Sequence, residues 1–140
     1  MTTLGKECEW GIEQEDIVKP ILEKYFDEKL TKTENRYAPF DFYNNDKSIY
    51  IEVKSRKCNY DKYLTTIITD NKWKKGQKLF SEGKKVFYVF NFLDGIYILE
   101  YNKQEYPKKK AGRYDRGRPE IKYHIFIPIK DLTQILNKLN

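Results

Sequence analysis

Residues 36–56 read RYAPFDFYNNDKSIYIEVKSR. Two runs that alternate apolar and polar residues, 36–43 and 48–56, flank the turn formers Asn44-Asn45-Asp46-Lys47. A period of two marks strands, and the short polar link marks a β-hairpin. In the second strand Ile49, Ile51 and Val53 point one way, and Tyr50, Glu52 and Lys54 point the other. One face enters a core. The other carries an acid and a base side by side, and the hairpin partner brings Asp41 within reach of Glu52.

Upstream, Ile17, Ile21, Leu22 and Tyr25 recur at helical spacing, and Trp10 and Glu13 extend the stripe backwards, which predicts a helix over 7–28. Pro20 falls inside it and predicts a kink. Downstream, YLTTIIT (63–69) reads either as a strand or as an irregular approach to the next helix. Asp70 suits the N-cap of a helix over 71–82, which Gly83 would end. VFYVFNF (86–92) and GIYILEY (95–101) predict a second hairpin, and 102–119 is a long basic segment. IKYHIFIPI (121–129) predicts a last strand, and Asp131 would cap a closing helix over 131–139. The expectation is one α/β domain over 1–140, with a mixed β-sheet flanked by helices.

Composition narrows the chemistry. No apolar run approaches the roughly 20 residues that cross a bilayer. The start, MTTLGKECEW, lacks the basic and apolar regions of a secretory signal, so an intracellular protein is expected, without a membrane partner. Cys8 and Cys58 form no CxxC pair and read as free thiols. His124 is the lone histidine, which leaves little room for a His-rich metal centre or a Ser-His-Asp triad; it reads as a surface residue. The net charge of +6 divides into −5 over 1–28, +5 over 29–100 and +6 over 101–140. That division suits a protein that collects a cation locally and holds a polyanion nearby. A lysine-rich surface without such a role fits as well.

Two carboxylates that share an oxygen-rich focus suit Mg²⁺, a hard cation that prefers oxygen and keeps several waters. Such an ion polarises a phosphodiester and acidifies water, and a neighbouring ammonium stabilises the charge that develops. Asp41, Glu52 and Lys54 form that kit. The plain alternative is a cross-strand ion-pair cluster on an exposed sheet face.

Pro39-Phe40-Asp41 followed by Glu52-Val53-Lys54 resembles the signature of the PD-(D/E)xK nuclease superfamily, which includes restriction endonuclease-like and Holliday junction resolvase-like enzymes. The resemblance spans some two-thirds of the chain and implies a core in the order α-β-β-β-α-β, followed here by an added hairpin or strand and a helix. It departs at one point, with Phe40 between the proline and the acid. It implies that Asp41, Glu52 and the Val53 carbonyl hold Mg²⁺ or Mn²⁺, and that Lys54 assists hydrolysis. Many members carry a further metal-binding acid on the first helix. Glu13 fits that role, Glu9 nearly as well, and Glu15 and Asp16 are expected to face solvent.

The resemblance also implies a nucleic-acid partner, DNA in preference to RNA, and a homodimer if the enzyme is resolvase-like. On the second helix it points to Lys74 and Gln77 near the scissile phosphate, where an ordinary solvated basic face is the alternative. Lys108, Lys109, Lys110, Arg113, Tyr114, Arg116 and Arg118 form a basic segment with an aromatic, suited to phosphate contact and base stacking. A non-catalytic nucleic-acid-binding module and an RNA endonuclease are the competing readings. The histidine usual in cap-snatching RNA endonucleases is missing upstream of Asp41.

Overall fold

The computed structural model describes residues 3–34, 40–113 and 120–139; Pro39, Tyr114, Arg116 and Arg118 lie outside the described residues. Helix α1 (Thr3–Phe26) leads into strands β1 (Leu30–Lys32), β2 (Phe42–Asn44) and β3 (Ile49–Ser55). The hairpin is present, with Phe42 opposite Ile51 and Tyr43 opposite Tyr50. Its turn is organised by the buried Asn44, whose Oδ1 accepts the N–H groups of Ser48 and Ile49, each at 2.9 Å. Such local side-chain bonds are what suit asparagine to turns. The Asp41 N–H donates to the Ile51 carbonyl at 3.0 Å, which keeps Asp41 alongside Glu52 just before the start of β2.

Strand β4 (Thr65–Thr69) and helix α2 (Asp70–Ser81) carry the chain to β5 (Lys85–Asn91), which lies parallel to β3. Parallel neighbours cannot be joined by a tight turn, so a long crossover is required. Thr69 caps α2, its Oγ1 accepting the Lys72 N–H at 3.4 Å; Asp70 lies inside the first turn rather than at the cap. At the far end Gly83 takes a φ of 87°. That lets the Lys84 N–H reach the Leu79 carbonyl and the Gly83 N–H reach the Phe80 carbonyl, a Schellman ending.

Strands β6 (Gly95–Glu100), β7 (Lys108–Arg113), β8 (Glu120–Pro128) and β9 (Thr133–Asn137) follow. The main sheet runs β1-β2-β3-β5-β6-β9 and is mixed, because β3 and β5 are parallel. One face buries Ile51, Val53, Phe87 and Val89 with Val18 and Leu22 of α1. The other buries Val86, Tyr88 and Phe90 with Trp73 of α2 and with Ile68, Ile125 and Ile127. The last three belong to a second, antiparallel sheet, β4-β8-β7.

The structure corrects several expectations. YLTTIIT does contain a strand, but it pairs with β8 and not within the mixed sheet. Six residues of the basic segment form strand β7, paired with β8 from Lys108 to Arg113. The predicted closing helix over 131–139 is absent: a 3₁₀ turn, Ile129–Asp131, precedes strand β9 on the edge of β6. Asp131 accepts the Tyr106 hydroxyl at 2.9 Å instead of capping a helix. Gly95 makes that edge pairing possible, since a Cβ there would stand 2.8 Å from the Leu136 carbonyl oxygen. Helix α1 is a single element that contains Pro20, in line with one helix across that position. Among its described side chains the buried ones are Val18 and Leu22, whereas Ile17 and Tyr25, expected in the core stripe, are exposed.

Candidate active site

Asp41 immediately precedes β2, where β3 loses its strand partner on that edge. Its Oδ2 accepts the Val53 N–H at 2.8 Å, so the carboxylate supplies the hydrogen bond that a longer β2 would have made. The N–H and C=O of a strand residue point to the same edge, which sets the Val53 carbonyl on the Asp41 side. Glu52 projects from the opposite side chain position into the α2 layer and is only 2 % exposed. Glu52 therefore does not stand on an exposed sheet face. Lys54 Nζ stands 3.2 Å from Glu52 Oε2, and Lys72 Nζ stands 3.4 Å from Oε1. Oε1 is buried and accepts no hydrogen bond; Lys72 approaches it as a charge. Burial first, then the charge of Asp41, pushes the Glu52 carboxyl up to about 7, against the pull of Lys54 and Lys72.

On α1 the inward acid is Glu15. Glu13 is exposed, contrary to the expectation that it shares the apolar stripe. The stripe runs through Trp10, Gln14, Val18 and Leu22, four residues apart, and Glu15 lies three residues before Val18. Burial and then the charge of Asp41 push Glu15 up to about 7, opposed by Lys32, whose Nζ lies 3.5 Å from its Oε2. Asp41 thus has an acid as neighbour from each layer. The buried pair Val18 and Leu22 was the available signal, but Ile17 and Tyr25 obscured it.

Helix α2 also presents a different residue from those expected. Lys74 and Gln77 are exposed, and Lys74 pairs with Asp70 at 3.0 Å, one turn earlier. Lys72 is the α2 lysine brought to Glu52, because Trp73 and Gly76 are the buried positions. A Cβ on Gly76 would meet the Tyr88 hydroxyl at 2.2 Å, so the glycine is what allows this close approach. Tyr88 in turn donates to the Lys72 carbonyl at 3.1 Å. Burial, followed by the charge of Glu52, holds the Tyr88 hydroxyl protonated well above its ordinary range.

The basic strand lies in the second sheet. Lys108 and Lys110 each place Nζ 5.5 Å from the Tyr123 ring centroid, and Lys109 lies 5.4 Å from that of Phe126. Arg113 ends β7. Lys108 also comes within 3.8 Å of Asp70 at the start of α2.

A family model described as "phage putative PDDEXK endonuclease" matches residues 6–135, from α1 into β9. The chain belongs to this family. Membership in the PD-(D/E)xK superfamily, first suggested by Asp41 and Glu52-Val53-Lys54, therefore extends over nearly the whole sequence. No curated protein and no solved structure matches the chain.

PD-(D/E)xK nucleases generally use divalent metals, and the residues of this site fit one. Two carboxyls raised to about 7 beside Asp41, one with an unbonded buried oxygen, gain from a cation that offsets burial and repulsion together. Among the described residues no three acid, histidine or cysteine side chains form a ready all-protein cage. Magnesium keeps several waters among its ligands, so it does not require such a cage.

Proposed function

We propose that the protein is a metal-dependent endonuclease that hydrolyses phosphodiesters, with DNA as its substrate. The observation that carries the reading is Asp41 between Glu15 and the buried Glu52, with Lys54 Nζ 3.2 Å from Glu52. Asp41, Glu52 and the Val53 carbonyl would hold Mg²⁺ or Mn²⁺, and Glu15 takes the place in that set first expected of Glu13. A bound divalent cation polarises the phosphodiester and acidifies the attacking water. Lys54 stabilises the negative charge that develops on the phosphoryl oxygens. Lys72 holds Glu52 from the other side and keeps its carboxylate ionised when substrate brings further negative charge. Lys108, Lys109, Lys110 and Arg113 contact backbone phosphates, joined by Tyr114, Arg116 and Arg118 of the same basic segment.

The DNA preference follows from the superfamily resemblance. A resolvase-like homodimer is the finer version of the same reading. Cleavage of labelled duplex, single-stranded, flap and four-way-junction DNA, with matched RNA, tests it in Mg²⁺ or Mn²⁺. Metal-dependent cutting that disappears with Lys54→Ala is the expected result, and preference for the junction would favour the resolvase. Tight binding without cutting on any substrate would replace the enzyme with a nucleic-acid-binding module.

A further inference from the structure

A cavity of about 370 Å³ opens beyond the end of β3, with Arg56, Tyr60, Tyr63, Phe92 and Phe126 among its lining residues. Arg56 of its lining follows Lys54 by two residues. The Arg56 N–H donates to the Asn91 carbonyl at 2.8 Å, so the ladder between β3 and β5 extends to it. Strand alternation therefore puts Arg56 on the side that bears Glu52 and Lys54. From there the guanidinium reaches across to β4, where Nη2 donates to the Ile67 carbonyl at 2.7 Å.

Arg56 has no acidic partner among the described residues. A guanidinium in a mostly apolar hollow, with one carbonyl for company, is costly to bury. Its planar fork keeps donors for a ligand that accepts in a plane. The aromatic walls are fixed in place: Tyr60 stacks on Tyr97 with centroids 4.1 Å apart, donates to the Ile129 carbonyl, and meets Phe92 edge-on. Tyr63 stands at the rim, 61 % exposed. Phe126 carries Lys109 of the basic strand over its ring, which links the cavity to that strand.

We infer that this cavity receives one unpaired nucleobase of the strand held at Asp41, Glu52 and Lys54, stacked on the aromatic walls and hydrogen-bonded by Arg56. Every base has a flat π-face and in-plane acceptors, which match these walls and this fork. A base must leave the duplex stack to enter such a pocket, so strands with an unpaired nucleotide bind better than a fully paired duplex. A bare phosphate fits poorly, because one arginine and aromatic rings would replace its hydration. The inference depends on the nuclease reading only for which strand supplies the base.

The test uses the full chain carrying Lys54→Ala, without divalent metal, and short single-stranded DNA or RNA bearing one 5-iodouracil. Irradiation followed by peptide mapping is expected to place cross-links on Tyr60, Tyr63 or Phe126. In the same background Arg56→Met and Tyr63→Ala should each weaken single-strand binding about five- to tenfold, at the lower end for loss of one stacking contact, and leave blunt duplex binding unchanged. Tyr63→Ala alters only an exposed rim, so it still decides the matter if Arg56→Met fails to fold. Cross-links confined to other residues, or equal losses on duplex, would overturn the pocket in favour of phosphate contact. Cleavage by the unmodified chain is scored separately. Cutting without pocket cross-links removes the base site alone, and pocket cross-links without cutting remove the nuclease alone.

Discussion

Glu52 and Glu15 flank Asp41 from opposite layers of the protein, and each is pushed up to about 7 by burial first and by Asp41 second. Their surroundings differ. Glu52 comes from a central strand, is almost wholly buried, and is met by lysines from two elements, Lys54 of β3 and Lys72 of α2. Glu15 comes from a helix surface and keeps a fifth of its side chain in water. It shares Lys32 with Asp16, which lies 3.0 Å from the same ammonium. The contrast separates an anchor from an adjustable partner. Glu52 can move only if β3 or α2 moves, whereas Glu15 can turn about its own side-chain torsions. In the proposed enzyme the first sets where a cation sits, and the second tunes how tightly it is held.

The largest effects should follow loss of the anchor side. Asp41→Ala and Glu52→Gln are each expected to lower the cleavage rate by about 10³-fold or more, with Lys54→Ala close behind. Lys72→Met should cost roughly tenfold, because it acts through the position and charge of Glu52. Single-turnover kinetics at saturating substrate would check the order. If Glu15→Gln proves more damaging than Glu52→Gln, the anchor and the tuner have been assigned the wrong way round.

Stability against pH sharpens the same comparison. A glutamate raised from its usual value of 4.5 to about 7 binds its proton more tightly in the native than in the unfolded state. Stability therefore falls as pH rises through that window, and stays lower above it. Glu52→Gln, which cannot ionise, should be more stable than the wild type at pH 8 by about 2–3 kcal/mol, and should show no gain at pH 4. Lys54 and Lys72 retain contact with water, which limits the cost of removing their shared partner. Glu15→Gln should show the same sign with a smaller gain. Urea denaturation at the two pH values measures both. Cleavage should rise from pH 6 to pH 8 as the two carboxyls ionise, and added Mg²⁺ should stabilise the wild type at pH 8 more than it does Glu52→Gln.

The β2–β3 hairpin was legible because its determinants are local: alternation, a compact turn and the side chain of Asn44. The helices were legible as helices, but not in rotation. A phase error of one residue turns a helix by about 100°, and α1 bears Ile12, Ile17 and Tyr25 on exposed positions that imitate a core stripe. On α2, Gly76 was the overlooked signal. A glycine in a helix interior costs stability, and here it lets Tyr88 approach and turns Lys72 toward Glu52. Strand β9 was beyond local reading, since only the free edge of β6, some 35 residues earlier in the chain, makes Thr133–Asn137 extended.

The smallest expected effect tests the phase of α1 directly. Glu13 is exposed, and Glu15 is inward and coupled to Asp41, although they are only two positions apart on the same helix. Two residues correspond to about 200° of rotation, so both cannot face the site. Glu13→Gln should therefore change stability by less than about 0.5 kcal/mol, as surface substitutions do, and leave both the Mg²⁺ requirement and the pH profile in place. Glu15→Gln should raise the Mg²⁺ concentration needed for half-maximal cleavage and flatten the rise between pH 6 and pH 8. Paired metal titrations of the two variants decide between them. An unchanged Glu15→Gln beside an impaired Glu13→Gln would mean that α1 presents its other face to Asp41 when metal and substrate are bound.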